Sequence, residues 1–214
     1  MTDARAPRRR SGLQQERSRQ TRQRLVRAAL ELWTDRGFEN GIEETTVEEI
    51  VKVAGVTKGT FYFHFARKEE ILLEMGWETA EIVNAEAEKC IRADRTLEET
   101  LARLLSVITS RIRAAPPAAV ARSVSEFRRR PNSELSAGGR HGFSSGFESV
   151  FAHAQETGEL PEDVPASEMA KILTALVMDS ILEWADARTD LKEGLRLRTG
   201  ILVAGLRQPA VLIE

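Results

Sequence analysis

The 214 residues suffice for one large domain or two unequal ones, and 42% hydrophobic content can build real cores, so wholesale disorder is excluded, as is any apolar run of the roughly 18 residues a membrane span needs. Aromatic residues make up only 6% while Ala, Leu, Glu and Arg dominate, which favours an almost all-α protein because these side chains lose little rotamer freedom in a helix. The net charge is only −2, but 14 Lys and Arg stand against 9 Asp and Glu up to Lys68, and 17 against 24 after it, a basic head on an acidic remainder as expected where one end meets phosphates.

Residues 1–17 carry Arg5, Arg8, Arg9 and Arg10 without apolar periodicity and are predicted to form a disordered basic arm. No apolar segment follows these arginines, so no secretory signal is expected and the cytoplasm is the expected compartment. From about Ser18 the pattern is helical, with Leu25, Ala29, Leu32 and Trp33 on one face and Gly37 as the stop. Asn40-Gly41 reads as a turn. Thr46 and Glu49 then form a capping box opening a short helix with Ile50, Val53 and Ala54 on its apolar side, and Gly55 ends that helix just before a second cap, Thr57. Two short helices separated by a tight glycine turn predict a helix-turn-helix, in a three-helix domain over 18–67.

The remainder, 68–214, is predicted to form a larger helical domain for ligand sensing and dimerisation. Its first helix begins near Lys68 and carries Ile71, Leu72, Met75, Trp77 and Ile82. The lone Cys90 excludes an internal disulfide and is an ordinary helix residue or a redox-sensing thiol. Leucines and isoleucines recur from Leu97 to Ile112, a further helix ends before Pro131, and Gly138, Gly139, Gly142 and Gly146 mark a loosened stretch that still carries Phe143, Phe147, Val150 and Phe151 on one face. The last two helices are apolar over more than one stripe, so each is expected to bury one face in its own domain and another against a second copy. Asp179, inside Leu176–Ile181, either lines a ligand cavity, pairs across a dimer seam or faces solvent; Trp77, Phe143, Phe147 and Trp184 either wall a pocket or are plain core. His141 and His153 lack companions at zinc spacing, and no nucleophile elbow, phosphate loop or dinucleotide motif occurs, so no metal, cofactor or catalysis is expected.

Thr45-Thr46-Val47-Glu48-Glu49-Ile50, then Ala54-Gly55-Val56-Thr57-Lys58-Gly59-Thr60-Phe61-Tyr62-Phe63-His64-Phe65, then Lys68-Glu69-Glu70-Ile71-Leu72 strongly resemble the DNA-binding signature of the tetracycline-repressor (TetR) family. The resemblance covers roughly residues 20–85, beyond which only the helical layout is similar. Asn40–Glu43 looks like an insertion in a connection that is usually shorter, and Ala66-Arg67 stands where the family often has Pro-Ser. The resemblance implies that Thr46, Tyr62, His64 and Lys68 contact phosphates. The residues themselves agree with a recognition helix opening at Thr57: Gly59 and Thr60 permit close approach, Lys58 can reach a guanine edge or a phosphate, and Thr60 can offer a methyl or hydroxyl to bases. On the blander reading Tyr62 and His64 cap a small core and Lys58 and Lys68 are solvated charges. The expected function is a homodimeric repressor that binds a pseudo-palindromic double-stranded DNA operator and is released by a small-molecule effector, an aromatic or otherwise largely apolar metabolite. The alternative is a helical adaptor that no longer reads a specific site.

Overall fold

Ten helices and no strand make up the described part of the chain, residues 7–129 and 142–208 of a computed structural model. The chain divides into two units, Met1–Glu74 and Met75–Glu214, so the division falls inside a helix.

The first unit holds α1 (Pro7–Asp35), α2 (Phe38–Glu44), α3 (Val47–Ala54), α4 (Lys58–His64) and the opening turn of α5 (Glu70–Arg92). The expected disordered arm is corrected over residues 7–17, which are helical; residues 1–6, Arg5 among them, lie outside the described residues. Proline suits a first helical turn, and Gln14, Gln15, Glu16 and Arg17 are good helix formers that need no apolar face to extend a helix already nucleated by its buried half. The turn expected at Asn40-Gly41 is likewise corrected to a helix, making four helices before α5 where three were expected. Gly41 is there for close approach: a Cβ on it would lie 2.5 Å from the Trp33 carbonyl oxygen, so α2 lies directly on the backbone of α1. Trp33 is fully buried and meets Phe38 edge-on with ring centroids 5.8 Å apart. Leu25, Ala29, Ile42, Ile50, Phe61, Phe65, Ile71 and Leu72 complete this core.

The second unit holds the rest of α5, α6 (Leu97–Arg113), α7 (Pro117–Arg129), α8 (Phe143–Glu156), α9 (Ala166–Ala187) and α10 (Leu191–Leu206). α9 packs against α7, α8 and α10, and α6 touches α7, α8 and α10. Thr96 and Glu99 form a capping box at the start of α6, and the Glu159 carboxylate accepts from the Leu97 amide at 2.9 Å, so several of the otherwise orphaned donors of that helix are met. The loosened stretch expected around Gly138–Gly146 lies partly outside the described residues; over its last part it is corrected, because Gly146 is buried in α8 where a Cβ would meet Asn84 Oδ1 at 2.4 Å. That glycine marks a tight α5–α8 contact. Among the described residues no helix is long and apolar enough to cross a membrane.

Candidate nucleic-acid interface

The turn between α3 and α4 is built from reciprocal caps. Thr46 accepts from the Glu49 amide at 3.3 Å while the Glu49 carboxylate accepts from the Thr46 amide at 2.8 Å, and Gly55 ends α3 in the left-handed region. Thr57 starts α4, its hydroxyl 3.1 Å from the Thr60 amide and 2.8 Å from the Thr60 hydroxyl. These bonds fix α4 with Phe61 and Phe65 turned into the core and with Lys58, Gly59, Tyr62 and Phe63 exposed. Nothing but Thr57 Oγ1, at 3.8 Å, lies within reach of a Cβ placed on Gly59, so the middle of this face is open. The candidate set Thr57, Lys58, Gly59, Thr60 and Tyr62 is therefore brought together, and the exposed Tyr62 is not a core cap. Phe63, on the same face, was missed by sequence reasoning. Its signal was present: Phe61 and Phe65 at i and i+4 fill the buried stripe and leave an aromatic at 63 with no place in it.

Ion pairs hold several candidates before any ligand arrives. Lys58 is paired with Glu48 across the turn, both side chains being mostly exposed. Lys68 donates to the carbonyl oxygens of Glu43 at 2.9 Å and Thr45 at 2.8 Å, satisfying carbonyls at the C-terminal end of α2 with two of its three ammonium donors. Arg36 clasps the same end from the other side. It donates to the Glu44 carbonyl at 3.3 Å, to the Thr45 hydroxyl at 3.2 Å and to both carboxylate oxygens of Glu49. Arg36, with the Thr46 donors, pulls the Glu49 carboxyl down to about 2. Stability from that network is therefore full above the ordinary carboxylate range and fades as pH falls towards 2. Arg22 lies over the Phe65 ring at 4.7 Å and pairs with Glu74 at 2.5 Å, tying α1 to the first turn of α5. His64, half-buried beside them, is held below its ordinary value of 6.5 by burial first and by Arg22 second, with Glu74 opposing.

A capped helix-turn-helix with an open, partly basic outer face is the arrangement the signature residues suggested, and comparison with known proteins identifies it. Residues 25–75 match the family model of bacterial regulatory proteins, tetR family. The helix-turn-helix segment is of the TetR family. A TetR-type relative, the HTH-type transcriptional regulator TcmR of Streptomyces glaucescens, is 47% identical over 62 residues, 29% of this chain and only 26% of that relative. The regulator SrpR of Pseudomonas putida is 24% identical over 191 residues, covering 89% of this chain and 87% of its own. Among solved structures, the Thermus thermophilus TetR-family repressor FadR in complex with lauroyl-CoA is similar with a TM-score of 0.71 and 27% identity, covering 90% of this chain and 98% of that one.

Within the second unit, the residues singled out for ligand binding separate. Phe143 and Phe147 lie together, buried on the inner face of α8. Trp77 is buried against Phe127, ring centroids 5.2 Å apart, where Gly76 leaves room for that ring. Trp184 is partly buried against the core of the unit. Asp179, for which three alternatives stood, faces outward from its own chain: its side chain is 71% exposed, with Arg198 at 3.9 Å, because Val177, Ser180 and Ile181 take the inward face of α9 and 179 falls on the outward one. No cluster of three or more His, Cys, Asp or Glu suited to a metal occurs among the described residues.

Proposed function

We propose that this chain is a ligand-responsive repressor that binds a pseudo-palindromic operator as a homodimer and leaves it when a small molecule occupies the second unit. The observation that carries the reading is the outer face of α4, which offers Lys58, Gly59, Thr60 and Tyr62 to a groove while Thr57 and Thr46 cap the two helices that present it. Lys58 and Thr60 read bases; Tyr62, His64, Lys68 and Thr46 anchor phosphates. Selection of bound fragments from random oligonucleotides, followed by gel shifts across salt concentrations, tests this directly. A sequence-selective, steeply salt-dependent shift is expected, and a helical adaptor would give neither.

The likeness to a repressor bound to lauroyl-CoA supports a largely apolar effector, with fatty acyl thioesters the first class to titrate against the operator complex. An effector acts only through its different affinity for the DNA-bound and released states.

Two further outcomes follow from the pairs described above. Glu48→Gln releases Lys58 and removes a carboxylate that would face phosphates, so operator affinity should rise at low salt and the slope of log affinity against log salt should steepen by about two units, one for each protomer. His64 is kept neutral in the free protein, yet a phosphate beside it favours the charged form, so binding takes up a proton. Operator affinity should therefore increase as pH falls from 7.5 to 5.5, by up to about tenfold per pH unit for each protomer bound, and His64→Gln should abolish that dependence. Stability of the free protein runs the other way. Because the folded value is the lower one, the His64 contribution is intact above 6.5 and lost as pH falls through that lowered value.

A further inference from the structure

Phe63 is 79% exposed, more than any other large hydrophobic residue among those described, and it stands in the middle of the α4 outer face between Gly59 and the end of the helix. The core gives no reason for it. Phe61 and Phe65 already fill the inward side of the helix, and substitution of Phe63 would leave no internal gap. Its direction is fixed nonetheless, for its ring meets His64 edge-on with centroids 5.0 Å apart and an interplanar angle of 81°. Gly59, one turn earlier on the same face, leaves open space beside it. The neighbours are the exposed Lys58–Glu48 ion pair, His64 and the hydroxyl-bearing Tyr62, a polar surround that suits a base edge better than an apolar protein face.

Within the DNA-binding reading, and resting on it, we propose that Phe63 is a base-reading residue: its ring lies against the 5-methyl group of a thymine in the major groove, so each operator half-site carries a thymine at the step facing it. Phenylalanine has no group that can hydrogen-bond a phosphate, whereas Tyr62 beside it does. The C5-methyl of thymine is the one apolar feature that base edges present in the major groove. The pair therefore divides the work, Tyr62 anchoring to backbone and Phe63 selecting for a methyl.

The test uses the full-length protein and its selected operator. Each thymine is replaced in turn by uracil, which removes only the methyl group, and separately one cytosine at the critical step is replaced by 5-methylcytosine in an operator variant that lacks the thymine. For the wild-type protein one symmetric pair of thymines should be sensitive, with affinity falling roughly fourfold for one half-site and about fifteenfold for both, as expected for one buried methyl each. Methylcytosine should restore part of that loss. Phe63→Ala should bind more weakly, show less than about a twofold change on uracil substitution at the same pair, and keep an unchanged melting temperature, while Tyr62→Ala should retain the methyl sensitivity. An identical methyl profile in wild type and Phe63→Ala would overturn the assignment while leaving DNA binding intact. A Phe63→Ala protein with altered oligomeric state would overturn it in favour of a protein contact. Absence of any sequence-selective binding by the wild type would overturn the underlying reading.

Discussion

Ile201→Glu is expected to convert the proposed dimer into a folded monomer and to lower operator affinity by about a hundredfold or more. In α10 the inward positions are Leu191, Leu195, Thr199 and Val203, all buried, while Leu197 and Ile201 stand outward, the latter 65% exposed. Ile172 of α9 is exposed as well, and beyond the adjoining backbone of α10 no atom of the described residues lies within 4 Å of a Cβ placed on Gly194, Gly200 or Gly205. An apolar ridge interrupted by residues without side chains is a surface another helix can approach closely, and two such helices from each of two copies make a four-helix bundle about a two-fold axis. A carboxylate at position 201 faces water in the monomer and costs little there; in the closed interface it loses its hydration with no partner. The protein should therefore elute as a monomer by size exclusion with light scattering, melt at an unchanged temperature, and hold one half-site at a time. A dimer of unaltered affinity in this variant would move the interface elsewhere. Position 202 is less diagnostic, since Leu202 packs partly into the core of its own unit and a charge there would disturb folding too.

What could be read from the sequence was local. The capping box of Thr46 and Glu49, the left-handed end at Gly55 and the cap at Thr57 each depend on residues within a few positions of one another, and each stands in the structure as its spacing predicts. What could not be read depends on distant partners. Asn40-Gly41 has the composition of a turn, and only the seating of α2 on Trp33 shows that the glycine serves close approach rather than a bend. Lys68 looks like a free cation in sequence, yet its ammonium is bonded to carbonyls 25 and 23 residues earlier. Arg36 stands one residue before the stop at Gly37, and nothing local shows that it binds a carboxylate 13 positions on. For Asp179 the apolar run left three placements open, and only the packing of α9 shows that 179 falls on its outer side.

Gly41→Ala should produce the largest loss of stability in the first unit, about 2–4 kcal/mol, for a single added methyl group. The new carbon would sit 2.5 Å from the Trp33 carbonyl oxygen and 2.8 Å from its Cα, both backbone atoms inside α1 that no side-chain rotation can move aside. α2 would have to lift away, taking Phe38 from the Trp33 ring and drawing the Glu43 and Thr45 carbonyls from Lys68. For a unit of this size each kcal/mol corresponds to roughly 4–8 °C, so the melting transition of the first unit should fall by roughly 10–30 °C while that of the second unit holds. Gly59→Ala should do the opposite. Its Cβ meets only Thr57 Oγ1 at 3.8 Å, and an alanine in a helix is favoured over glycine by about 0.8–1 kcal/mol, so the first unit should gain stability. Operator affinity should nevertheless drop in the Gly59 variant, because its methyl group occupies the space into which a base edge must come. Differential scanning calorimetry and gel shifts on the two variants read these opposed effects; a Gly41 variant that melts like wild type would mean that α2 does not lie on α1 as described, and a Gly59 variant with undiminished affinity would take the outer face of α4 out of the groove.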